Sequence, residues 1–142
     1  MLKICGVIGQ NYYKMIYTGY YSKIKEYADS GLTLLSISRT KPEFAKSCID
    51  IPQLFPSDKI LWDHKKGKID DMEYTSKYLD QLNELGVDRI IKMIQIFGDN
   101  VVLLCWESPE KFCHRHILAD YINKNSGVVV EEFGKENEIA LF

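Results

Sequence analysis

The sequence predicts an α/β fold: a single domain of three layers, with a mostly parallel sheet flanked by helices. Three observations carry this expectation. Apolar, β-prone runs of strand length recur at residues 15–18, 32–38, 100–107 and 128–132. Segments with helical spacing of apolar residues stand between them and stop at Gly31, Gly86, Gly98 and Gly127. The resulting order, β-α-β-long connection-α-α-β-α-β, is the alternation that places helices around parallel strands.

Each element has its own justification. Residues 15–18 read as a short strand stopped at Gly19, and Ser22 as the N-cap of a helix running to Ala28. Residues 32–38 lack polar alternation, as expected of a strand buried on both faces. Residues 39–70, punctuated by Pro42, Pro52 and Pro56, read as irregular chain with room for short helices. A connection of that length suits a lid or binding loop. Residues 71–85 read as a helix with Met72, Thr75, Leu79 and Leu82 near one face and Gly86 beyond its end. Asp70, Asp71 and Glu73 sit at its start, where the helix dipole favours acids. Residues 88–97 follow as a second helix, with Ile90, Ile91, Ile94 and Phe97 inward and Gly98 as the stop. Residues 100–107 form the strongest strand, broken by Pro109 and Glu110. A helix over 113–125 carries Ile117, Leu118, Tyr121 and Ile122 inward, and 128–132 is the last strand. Residues 4–8 offer one more. Without a repeat or a flexible linker, residues 1–142 read as one domain with its core at about 14–133.

Composition narrows the function classes. The chain of 142 residues is 46% hydrophobic and 27% charged, ordinary for a folded protein. Eighteen basic against twenty acidic side chains give a net charge of −2. The locally basic stretch, Lys59, Lys65, Lys66 and Lys68, is offset by Asp58 and Asp63. An extended surface for duplex nucleic acid needs more positive charge, whereas a small anionic ligand needs one or two cations. The apolar run at 101–106 is too short to span a bilayer. The first residues lack a secretory pattern. The expectation is a cytoplasmic protein whose cysteines, Cys5, Cys48, Cys105 and Cys113, are reduced. Oligomeric state has no signature.

In open α/β sheets, ligands bind beyond the carboxyl ends of the strands. That edge would carry Thr18 and Ser22 after the first strand, Ser36, Ser38 and Arg39 after the second, and Cys105 and Glu107 after the third. Cys113, His114 and Arg115 would open the next helix, whose unpaired N–H groups favour an anion. Arginine adds a planar fork for phosphate or carboxylate, and a cysteine there would have its thiolate stabilised. The bland readings stand beside these. Cys105 sits in an apolar strand and reads as core, Cys113 as packing at a helix start, His116 as solvent-facing, and Arg115 as the partner of Glu107.

No metal and no cofactor are expected. The alternative is zinc on Cys105, Cys113, His114 and His116, but neighbours on a helix diverge by about 100°, and no paired C-x-x-C exists. Glycine-rich phosphate loops and a G-x-S-x-G elbow are absent. Tyr12, Tyr13, Tyr17, Tyr20 and Tyr21 form an aromatic cluster that reads first as packing and second as a stacking surface for a planar ligand.

Leu103-Leu104-Cys105-Trp106-Glu107 followed by Phe112-Cys113-His114-Arg115-His116-Ile117-Leu118-Ala119 resembles the signature of domain-of-unknown-function family 488. The resemblance extends to Tyr17-Thr18, Tyr21-Ser22, residues 36–42 and the helix bearing Tyr74-Thr75 and Tyr78-Leu79, and covers about residues 14–133. It implies a small α/β fold and a site of Cys105, Glu107, Cys113, His114, Arg115 and Arg39, without a substrate. Where many relatives read Asp-Val-Arg in the second strand, this chain has Ser36-Ile37-Ser38.

The functional expectation is an enzyme, a hydrolase or transferase, acting on a phosphate-bearing ligand such as a nucleotide or nucleic-acid end. Glu107 is the expected base or nucleophile, His114 the proton carrier or orienting group, and Cys113 a second candidate nucleophile. Arg39, Arg115, Ser38, Thr18 and Ser22 are expected to hold the anion, with Tyr17, Tyr21 and Tyr74 as aromatic or lid residues. A non-catalytic nucleotide- or partner-binding module and a zinc-supported domain are the alternatives.

Overall fold

A computed structural model describes residues 15–134; Cys5, Tyr12, Tyr13 and the strand expected at 4–8 lie outside the described residues. Five strands form the sheet: β1 (Met15–Tyr20), β2 (Thr33–Ser36), β3 (Ile49–Asp50), β4 (Asn100–Cys105) and β5 (Val130–Glu132). Their order is β3-β2-β4-β1-β5, and every pairing is parallel. β4 is central, with Val102 opposite Tyr17 on one side and Leu34 on the other.

The sequence of β4 shows why it lies there. Val101, Leu103 and Cys105 enter one apolar cluster, while Val102 and Leu104 enter another. Successive side chains of a strand point to opposite faces, so two covered faces demand an unbroken apolar run. The larger cluster joins β4 to Ile60 of α2 (Asp58–Lys65), Tyr78 and Leu82 of α3 (Asp71–Leu85), Ile90 and Ile94 of α4 (Val87–Gln95), and Leu118 and Ile122 of α5 (His114–Asn125). The smaller one joins the opposite face to Tyr21, Ala45, Cys48 and Tyr27 of α1 (Ile24–Asp29). The result is the expected three layers.

Several local expectations change. Gly19 lies inside β1 instead of ending it, and a Cβ there would stand 2.6 Å from the Tyr27 ring. The absent side chain thus admits Tyr27, whose hydroxyl accepts a hydrogen bond from the Tyr20 amide at 3.1 Å. Ser22 caps no helix: it lies within a 3-10 turn, Tyr21–Lys23, and α1 starts at Ile24 without a side-chain cap. On α3 the buried positions are Tyr74, Tyr78 and Leu82, while Met72 is 80% exposed. The Met72 and Thr75 stripe is therefore corrected; the long tyrosines take the inward face. α4 ends at Gln95, which leaves Phe97 exposed.

Residues 39–70 contain two 3-10 turns, Glu43–Ala45 and Pro52–Leu54, as well as β3 and α2. The Ser57 hydroxyl caps α2 by accepting from the Ile60 amide at 3.3 Å. α3 then fastens the segment: Tyr78 donates to the Leu54 carbonyl, and Gln81 donates to the Phe55 carbonyl, each at 2.6 Å. Asp70 caps α3 by accepting from the Glu73 amide at 2.8 Å, and Gly86 ends it at φ 86°, a conformation that favours glycine. No helix among the described residues is long and apolar enough to cross a membrane.

Candidate functional site

Because β2 and β4 are parallel neighbours, their carboxyl ends open on the same edge, and a cavity of about 580 Å³ lies there. Ser38, Cys105, Glu107, Cys113 and His114 line it from the strand ends and the start of α5. Tyr74, Trp106 and Phe112 supply aromatic walls, while Arg39 and Lys65 supply cations. The volume falls within the range of small-molecule pockets, roughly 300–1,000 Å³.

Cys113 is the N-cap of α5, with extended backbone at φ −157° and ψ 142°. It is therefore not helical, and the angular argument that separates helix neighbours does not hold it away from His114. Its sulfur is bonded to that of Cys105, across a Cα separation of 7.6 Å. The expectation of reduced thiols is corrected for this pair, because the turn between β4 and α5 brings their side chains together. Cys48 is a free, buried cysteine whose thiol is pushed up by burial.

His114 is buried, and its Nε2 lies 2.6 Å from the Ile37 carbonyl. A carbonyl can only accept, so Nε2 carries the proton and donates it. Burial lowers the pKa of His114 to about 4; the Ile37 carbonyl opposes that, while Arg115 and His116 add to it. The neutral ring at pH 7 thus keeps Nδ1 bare. Its face packs edge-on against Tyr78 at 5.5 Å.

Arg115 is fully buried and is not among the residues lining the cavity. Nε and Nη2 donate to the two carboxylate oxygens of Glu132, each at 3.0 Å. Nη1 donates to the Glu107 carbonyl at 2.5 Å and to the Cys105 sulfur at 3.1 Å. The expected Arg115–Glu107 contact exists, but it runs through the backbone, and the ion pair is made with Glu132. Thr18 belongs to the same buried group, donating to Glu132 at 2.6 Å. Neither residue is placed where an external anion would meet it.

The other expected residues divide. Ser38 lines the cavity, with its hydroxyl donated to the Thr40 carbonyl at 2.7 Å. Tyr21 lies behind it, its hydroxyl 2.6 Å from those of Ser36 and Ser38. Tyr17 packs against Phe133 at 5.1 Å, and Ser22 lies on a separate surface depression beside Lys23. His116 is half-buried and stands outside the group formed by Cys105, Cys113 and His114.

Arg39 and Lys65 are the cations that line the cavity. The Arg39 Nε donates to the Pro56 carbonyl at 2.9 Å and pairs with Asp58 at 3.1 Å. The Glu107 carboxylate has no hydrogen bond or ion pair among the described residues. Trp106 is held at the rim by its indole N–H, which donates to the Thr40 carbonyl at 3.0 Å. His64, Lys65 and Leu61 also reach the cavity and were missed in the sequence. Pro56-Ser57-Asp58, a helix start hidden in the long connection, is the signal that could have found them.

A family model described as the active DUF488-N3 subclade matches residues 16–126. The chain belongs to the DUF488 family. No curated protein and no solved structure matches it. The DUF488 match runs from β1 to the end of α5, so it contains the whole cavity lining, while Glu132, the buried partner of Arg115, lies beyond it.

Proposed function

We propose that the carboxyl-edge cavity binds a small planar molecule bearing phosphate, of the nucleotide class, and that the protein is an enzyme, a hydrolase or transferase acting on it. The observation that carries this reading is the meeting of Tyr74, Trp106 and Phe112 with the guanidinium of Arg39, which is paired with Asp58, and with Glu107 in one cavity. Aromatic faces take up a base, a guanidinium fork takes up phosphate, and a carboxylate beside them can activate water or attack directly.

Glu107 is the leading base or nucleophile. His114 is neutral near pH 7 and bound to Ile37, which suits an orienting or proton-accepting group and not a proton donor. Cys113 could attack only after reduction of its bond to Cys105. Arg115 acts as a positioning residue through the Glu107 carbonyl. Residues 39–70 form one wall of the cavity, fastened to α3 by Tyr78 and Gln81.

The test is a thermal-shift comparison of wild type and Arg39→Ala with phosphate, nucleosides and nucleotides. Ligand at 100 times its Kd adds about 2.7 kcal/mol to native-state stability. Nucleotides should raise the wild-type Tm more than nucleosides or phosphate do, and the Arg39→Ala shift should shrink. A folded wild type that responds to none of them rejects the reading.

A further inference from the structure

We propose that Cys105, Cys113 and His114, once the disulfide is reduced, form a site for one thiophilic divalent cation of the zinc class, open to the cavity. The proposal does not rest on the nucleotide reading.

A ligand atom from each residue lies within 4.8 Å of the others, and all three residues are buried. Zinc holds sulfur at about 2.3 Å and imidazole nitrogen at about 2.0–2.1 Å, so small side-chain movements suffice to surround an ion. The Cα atoms of the two cysteines stand 7.6 Å apart, wide enough for two thiolates to face an ion between them. The extended backbone of Cys113 lets it converge with His114 although the two are adjacent in sequence.

The tautomer of the imidazole suits a ligand. Metal-binding histidines commonly donate the opposite ring N–H to a carbonyl or carboxylate, which fixes the tautomer. His114 donates Nε2–H to Ile37, leaving Nδ1 for the ion. Charge points the same way. Two buried thiolates need compensation, and although Arg115 touches the Cys105 sulfur, its own charge is matched by Glu132. A divalent cation with two thiolates and a neutral imidazole makes a neutral set.

All three residues line the cavity, as does Glu107. Three protein ligands and a position facing a cavity are the pattern of an open zinc site, unlike the closed four-ligand structural kind. A phosphine or dithiol reductant delivers two electrons, and two protons complete the thiols; the cation then displaces both thiol protons as it binds. Oxidation by a peroxide or a disulfide removes two electrons, restores the Cys105–Cys113 bond and releases the cation.

The experiment is an anaerobic cobalt(II) titration of the full chain after phosphine reduction, with zinc added afterwards. Expected are thiolate-to-cobalt charge-transfer bands that saturate at one ion per chain, are absent before reduction and are abolished by zinc. Cys105→Ser and Cys113→Ser should each remove them, and the double variant Cys5→Ser/Cys48→Ser should keep them. The zinc content of oxidised and reduced wild type provides a readout that needs no variant: the reduced protein alone should hold one equivalent. Absence of thiolate bands and of bound zinc in reduced, folded protein overturns the proposal. So does their persistence in both single variants. Nucleotide thermal shifts fail or succeed separately from either result.

Discussion

Arg115 and Glu132 form a two-point ion pair, Nε to Oε1 and Nη2 to Oε2, with the arginine fully buried. The pair ties α5 to β5, and its third donor, Nη1, reaches the Glu107 carbonyl just beyond β4. Breaking a buried pair leaves one charge uncompensated, which costs about 3–5 kcal/mol. Arg115→Ala should therefore lower stability by about that amount in urea denaturation. The double variant Arg115→Met/Glu132→Leu should recover much of the loss, since it removes both charges. Equal losses in the two proteins would contradict this account of the pair.

The second prediction concerns acid. The folded-state pKa of His114 is depressed to about 4, below its ordinary 6.5. Above pH 6.5 the ring is neutral in both states and the stability is fully present. As pH falls toward 4 the unfolded chain takes up the proton first, so stability declines through that window by up to roughly 3 kcal/mol. Denaturation of the oxidised protein at pH 7 and pH 4.5, compared with His114→Gln, isolates this contribution. The variant should show the shallower decline, and parallel declines would contradict it.

Tyr78 fastens the cavity wall. Its hydroxyl donates to the buried Leu54 carbonyl at 2.6 Å. Tyr78→Phe keeps the ring and removes the donor, which should cost about 1–3 kcal/mol. Amide hydrogen exchange should rise in residues 52–57 more than in α4; uniform acceleration would show that the bond does not hold this wall specifically.

Glu107→Gln separates catalysis from binding. A general base contributes about 10²–10⁴-fold, so single-turnover conversion of a bound nucleotide, followed by chromatography, should fall by that order while the thermal shift persists. Undiminished conversion removes Glu107 from the reaction. Binding without conversion in wild type favours the non-catalytic module.

What could be read from the sequence depended on range. The α3 boundaries were legible because Asp70 and Gly86 act locally, through a cap and a positive φ. The β4 strand was legible because burial on both faces leaves an unbroken apolar run. The Arg115–Glu132 pair was not, because it joins elements that meet only through the order of the sheet. Cys105 and Cys113 were singled out, yet their bond was not foreseen, because the lack of a secretory pattern favoured reduced thiols and says nothing of which side chains meet; reading Cys113 as helical separately hid its convergence with His114. Arg39 was placed at the right edge, but Trp106 and Phe112 became cavity walls only once the turn after β4 was seen.

The most direct test of the central claim uses Trp106. The chain has two tryptophans, and Trp62 lies on α2, 51% exposed. In Trp62→Phe protein, emission therefore reports on Trp106 at the cavity rim. Nucleotide should quench it saturably, and Arg39→Ala should weaken the apparent affinity without changing the ligand-free spectrum. A folded protein whose Trp106 emission stays unchanged as nucleotide is raised to millimolar levels would contradict the claim that this cavity is a nucleotide-class site.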